Sequence, residues 1–135
     1  MQKKVKCLIS IFLSLLVIFS LTVTVCAIEP RFSETNSMTV RLSFNGTTAN
    51  CSVKIYGAKG TASIDNVNIT LKDSKGNVKG EWKNLSSNDD YFSFSDSISN
   101  LTKGETYTLS ASGNVNRNGN AEPISGSSSN PCPNK

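Results

Sequence analysis

Residues 38–56 constrain the fold more than any other stretch. Met38, Val40, Leu42 and Phe44 alternate with Thr39, Arg41 and Ser43. After Asn45-Gly46 the alternation resumes, with Ala49, Cys51, Val53 and Ile55 set against Asn50, Ser52, Lys54 and Tyr56. Successive side chains of a strand point to opposite faces, so a period of two makes an extended segment with one apolar side. A helix would scatter the same residues around its circumference. Asn and Gly both tolerate positive φ, so Asn45-Gly46 predicts a two-residue turn joining two antiparallel strands. Cys51 falls on the apolar side.

The pattern recurs along the chain. Residues 57–60 read as a loop, followed by Val67, Ile69 and Leu71 facing inward with Asn66, Asn68, Thr70 and Lys72 outward. Asp73-Ser74-Lys75-Gly76-Asn77 is a turn, after which Val78 and Trp82 share one face of a shorter strand. Residues 84–90 form a polar loop. Phe92, Phe94 and Ile98 alternate with serines, and Tyr107, Leu109, Ala111 and Val115 make the next strand. Residues 116–120 hold a second Asn-Gly turn. A weak last strand covers about residues 121–128, where Pro123 lacks an N–H and belongs at a sheet edge. No segment sustains a period of 3.6. About seven strands with turn signals every 8–12 residues predict an all-β fold, a two-sheet antiparallel sandwich.

The first 27 residues stand outside this pattern. Lysines at 3, 4 and 6 precede an apolar run ending in Val25-Cys26-Ala27. A basic start, an apolar middle and a small-residue exit describe a secretory signal peptide, with Ile28 as the first mature residue. A retained anchor is the alternative, since the run is long enough to span a bilayer. Lipid attachment at Cys26 calls for a small residue before it, and Val25 is not small. The expected organisation is therefore a signal peptide at 1–27, a polar lead-in at 28–37 and one sandwich domain at 38–135.

The net charge of +4 changes meaning with that division. Three of the 14 Lys and Arg residues lie in the leader and none of the ten acids does, so the remainder carries +1. Nothing electrostatic then favours nucleic acid or a membrane surface. The leader also takes Cys7 and Cys26. Cys51 and Cys132 remain, and an even pair in an oxidising compartment predicts one disulfide. Its loop of about 80 residues corresponds to about 4–5 kcal/mol in the chain-entropy picture.

Leu101-Thr102-Lys103-Gly104-Glu105-Thr106-Tyr107-Thr108-Leu109 resembles the Leu-x-x-Gly-x-x-Tyr-x-Leu signature of fibronectin type III and related immunoglobulin-like domains. The resemblance implies an immunoglobulin-like sandwich in which the Tyr107 hydroxyl bonds back to the backbone of a corner framed by Leu101 and Gly104. As a whole the mature chain is similar to small, single-domain, signal-bearing proteins of Gram-positive bacteria. Such a resemblance implies a fold more than a function.

Chemistry is sparse. The chain has no His, which removes Ser-His-Asp and Cys-His machinery and imidazole metal ligands. No Gly-x-Ser-x-Gly occurs, and acids such as Asp65 and Glu81 are scattered on outward positions. No catalytic residue, cofactor or metal site is expected. Asn88, Asp89, Asp90 and Asp96 have the oxygen chemistry that calcium wants, but read more simply as a solvated loop. Asn-x-Ser/Thr triplets at Asn45, Asn50, Asn68, Asn84 and Asn100 follow from a composition rich in those residues. The expectation is a secreted, extracellular, monomeric, non-enzymatic module that binds an extracellular protein or glycan. One candidate surface is the loop tip bearing Asn116, Arg117, Asn118 and Asn120, beside residues 57–63. The alternative is a carbohydrate-binding module, which requires two or more of Phe32, Tyr56, Trp82 and Tyr91 on one exposed face.

Overall fold

The computed structural model describes residues 35–135. The expected signal peptide, the cleavage point before Ile28, most of the lead-in and Phe32 lie outside the described residues. Seven strands follow one another: β1 (Ser37–Asn45), β2 (Thr48–Tyr56), β3 (Thr61–Asp73), β4 (Val78–Ser87), β5 (Tyr91–Ile98), β6 (Thr106–Arg117) and β7 (Asn120–Pro131). They form a three-stranded sheet in the order β1-β2-β5 and a four-stranded sheet in the order β4-β3-β6-β7. Every pairing is antiparallel.

The core lies between the sheets. Leu42, Ala49, Cys51, Val53, Ile55 and Phe92 come from one side, and Ile64, Val67, Ile69, Leu71, Tyr107, Leu109, Ala111 and Val115 from the other. These are the inward positions of the period-two pattern, because burying apolar area is the main gain available to such strands.

The structure corrects several local expectations. Asn45 pairs with Thr48, so the first hairpin turns on Gly46 and Thr47, with positive φ at Gly46 alone. In this register Phe44 faces Ala49, large against small, and Thr47 O accepts from Leu101 N at 3.0 Å. The second Asn-Gly pair does turn: Arg117 pairs with Asn120, and Asn118 and Gly119 both have positive φ, as a type I′ turn needs.

Strand β3 starts at Thr61, earlier than the alternation suggests. A bulge with Asn66 at φ 49° lets Ile64 and Val67 both face the core although they are three residues apart. A second left-handed residue, Asn84 at φ 56°, does the same in β4, turning Leu85 towards the core and extending the strand to Ser87. The polar loop expected at 84–90 therefore shrinks to 88–90. Val78 does not share a packed face with Trp82. A register shift opposite Leu71 and Lys72 leaves it 52% exposed. Strand β7 is longer than expected and lies at the edge, as Pro123 requires.

The expected Cys51–Cys132 disulfide is absent among the described residues: both are free, buried thiols. Each has its own niche. Cys51 sits in β2 between Leu42 and Asp96 of the flanking strands, while the Cys132 thiol donates to Gly46 O at 3.6 Å. Burial, and secondarily the charge of Asp96, push the Cys51 thiol up to about 11.

Candidate functional site

The outer face of the three-stranded sheet is built by the residues that the core does not take. The register sets them in four rows: Ser37, Tyr56 and Tyr91; Thr39, Lys54 and Ser93; Arg41, Ser52 and Ser95; Ser43, Asn50 and Ser97. Tyr56 and Tyr91 are direct cross-strand partners at one end of this grid. Their ring centroids lie 4.9 Å apart at 39°, and the side chains are 49% and 37% exposed. Cross-strand aromatic pairs hold one another in place, so the two rings form one ledge rather than two independent side chains. Hydrogen bonding with Ser93, the charge of Lys54 and hydrogen bonding with Tyr56 hold the Tyr91 phenol below its ordinary range.

Beside the ledge is a shallow depression of about 340 Å³ lined by Thr39, Arg41, Ser52, Lys54 and Tyr56. No carboxylate belongs to the four rows. The ion pairs among the described residues are Lys79–Asp73, Lys83–Glu81 and Arg117–Glu122, so Arg41 and Lys54 have no acidic partner there.

The other aromatics do not join this face. Trp82 is half-buried, donates from Nε1 to Asp96 at 2.8 Å and meets Phe94 edge-on at 5.0 Å. The loop-tip residues are largely engaged. Asn116 donates to Ser63 at 3.0 Å and to Asp65 at 2.7 Å, Arg117 bonds Glu122 at 3.0 Å, and Asn118 makes the turn. Asn120 opens β7.

Tyr107 is fully buried at the opposite end of the molecule, with its hydroxyl accepting from Thr102 N at 2.9 Å. Leu101 is buried beside it, and Gly104 N donates to Cys132 O. Asp90 precedes β5 and Asp96 lies towards its far end, six residues on and roughly 20 Å along an extended chain, so these acids do not converge. Asp73 is buried and serves its own turn, accepting from Lys75 N, Asn77 N and the Asn77 amide. The Asn77 side-chain bond leads the causes that lower its pKa, with its backbone bonds and Lys79 adding to the effect.

The four-stranded sheet shows a different exterior, which the sequence reading did not single out. Asn68, Thr70, Ser110, Ser112, Ser125 and Ser127 line shallow grooves of about 430 and 480 Å³, which share Asn68, Ser112 and Ser125. Neither groove contains a charged or aromatic side chain. The signal was present as Ser125, Ser127 and Ser129, alternate positions in the second half of β7.

No family model and no curated protein matches the chain. Among solved structures it is similar to the sporulation control protein Spo0M from Bacillus subtilis, at 11% identity over 71% of this chain and 47% of that one, TM-score 0.41. It is also similar to a calcium-binding mutant of Bacteroides uniformis beta-glucuronidase 2, at 11% identity over 74% of this chain and 13% of that one, TM-score 0.42. A conjugate transposon protein from Bacteroides vulgatus shares 17% identity over 69% of this chain and 81% of that one, TM-score 0.29. The chain thus spans about half of the Spo0M structure and a small part of the glucuronidase. At these identities and scores the likenesses carry nothing about ligand or role.

Proposed function

We propose that this is a secreted, non-enzymatic module of the immunoglobulin-like class that binds a glycan on the outer face of its three-stranded sheet. The Tyr56–Tyr91 ledge carries the reading. Sugar rings present apolar C–H faces that stack on aromatics, while their hydroxyls exchange hydrogen bonds with groups such as Ser93, Ser52 and Thr39. Two adjacent exposed rings on a rigid sheet offer that surface with little ordering cost on binding.

The strand orders β1-β2-β5 and β4-β3-β6-β7 support the immunoglobulin-like assignment, together with the Tyr107 corner. The lack of His supports a binding role over catalysis. The basic, apolar and small-residue segments of the first 27 residues support export.

The test is an NMR titration of the purified protein with a panel of oligosaccharides. Shifts should concentrate on outer residues of β1, β2 and β5 and vanish in a Tyr56→Ala/Tyr91→Ala double variant whose unfolding midpoint is checked separately. Shifts confined to residues 116–120 would move the site to the loop tip and end this reading.

A further inference from the structure

We infer that Arg41 and Lys54 make the tyrosine face selective for acidic saccharides, with carboxylate, sulfate or phosphate groups on the sugar. This rests on the glycan reading above and adds the ligand's charge to it.

The placement is specific. Lys54 stands one row from Tyr56 on the same strand and face, and Arg41 stands one row further on β1, opposite Ser52. That makes Arg41 and Lys54 diagonal cross-strand neighbours, about 7–8 Å apart at the backbone. Both line the same depression, and Tyr56 forms one of its walls. A sugar stacked on the ledge therefore has its neighbouring ring, or a substituent, over the two cations.

Stability does not account for the pair. Like charges this close repel, and no acidic side chain occupies the four rows to offset them. Arg41 and Lys54 have no carboxylate within 4 Å among the described residues, as is also true of Lys59, Lys72, Lys75, Lys103 and Lys135, but only these two share one depression with Tyr56. An anion seated between the two would relieve the repulsion. An Arg fork suits a planar carboxylate or a tetrahedral sulfate or phosphate, and Lys adds a second point charge.

The chain's overall charge gives no general attraction for polyanions. Excluding the expected leader, it is close to neutral, with 11 Lys and Arg against ten acids. What sets Arg41 and Lys54 apart is that they share one depression with an exposed tyrosine. The grooves on the other sheet, which hold no charge at all, serve as the internal contrast.

Calorimetric titration of the full-length purified protein separates the alternatives. The probes are a neutral β-glucan hexamer, a hexagalacturonate, a sulfated hexamer, a glycerol-phosphate oligomer bearing sugars, and inorganic polyphosphate. The acidic saccharides should bind about tenfold more tightly than the neutral hexamer at low salt. That advantage should shrink several-fold at high salt, as screening requires. Arg41→Gln/Lys54→Gln should bring the ratio of acidic to neutral affinity close to one without lowering the unfolding midpoint. The acidic probe that binds best identifies which anionic group is recognised.

Equal affinity for neutral and acidic hexamers would overturn the charge inference and leave the glycan reading standing. Binding of polyphosphate as tight as that of the best acidic sugar, insensitive to Tyr56→Ala, would overturn it as well, because the sugar would then contribute nothing. Absence of binding to every saccharide would bring down both.

Discussion

At one end of the sandwich the β1–β2 turn, the β5–β6 link and the C-terminal segment are tied backbone to backbone. Leu101 N donates to Thr47 O, Gly104 N to Cys132 O and Cys132 N to Glu105 O, all around the buried Tyr107. At the other end side chains do most of the joining. Asn36 accepts from Ala58 N and donates to Glu122, Asn116 reaches Ser63 and Asp65, and Arg117 pairs with Glu122. The first end is continuous with the core, so a change there removes packed apolar area and buried bonds together. The second end is held by groups that water can also satisfy, which lets its loops vary beside the Tyr56–Tyr91 ledge.

That contrast can be broken by mutation, beginning with the strongest probe. Tyr107→Ala should cost about 3–5 kcal/mol in urea denaturation, as large-to-small changes at buried aromatics do. Tyr107→Phe isolates the hydroxyl and should cost about 1 kcal/mol. An unchanged midpoint in the Phe variant would mean that the closed end relies on packing and not on the bond to Thr102.

Next comes Asp73, which is paired with Tyr107 in the β3–β6 register. Its native pKa is lowered, so on acidification the unfolded chain takes up the proton first. Its stabilising effect is therefore complete above about pH 4 and is lost as pH falls through the lowered native value. Asp73→Asn should be less stable than the parent at neutral pH and should show a flatter acid limb. An identical acid limb in both proteins would remove Asp73 from the account of this end.

Smaller effects are expected at the other end. Losing the exposed tyrosine pair by Tyr56→Ala should cost about 0.2–1 kcal/mol, the range for cross-strand pairs. Arg117→Gln should stay within about 0.5 kcal/mol in a thermal melt, because an ion pair this exposed contributes little. A loss above 1 kcal/mol at Arg117 would show that the two ends are equally committed to stability.

Much of the fold was readable because a strand writes its inner face directly into the sequence. Val53, Ile69 and Leu109 sit where their alternation puts them. What escaped was the backbone chemistry of asparagine. Asn66, Asn84 and Asn100 adopt positive φ outside any Asn-Gly pair, whereas Asn118 does so in the turn that its Asn-Gly pair announces. At Asn66 and Asn84 that conformation produces bulges, which break the period of two and so hid the start of β3 and the end of β4. In the sequence the same residues read as solvated polar positions or as glycosylation triplets. The candidate site was half legible. Alternation turns Tyr56, Lys54 and Arg41 outward, but only the long-range pairing of β2 with β5 brings Tyr91 to Tyr56. The niche of Cys132 was not legible either, since it depends on where the C-terminal segment crosses the first turn.

The two sheltered cysteines give the molecule a pair of native clocks. Cys51 lies in the central strand of its sheet, and Cys132 lies just beyond the last strand. A thiol-reactive dye reaches Cys132 once the C-terminal segment peels away from Gly46 and Glu105. It reaches Cys51 only when the layers separate. Labelling followed site by site would thus time fraying and global opening in one sample, with no introduced probe.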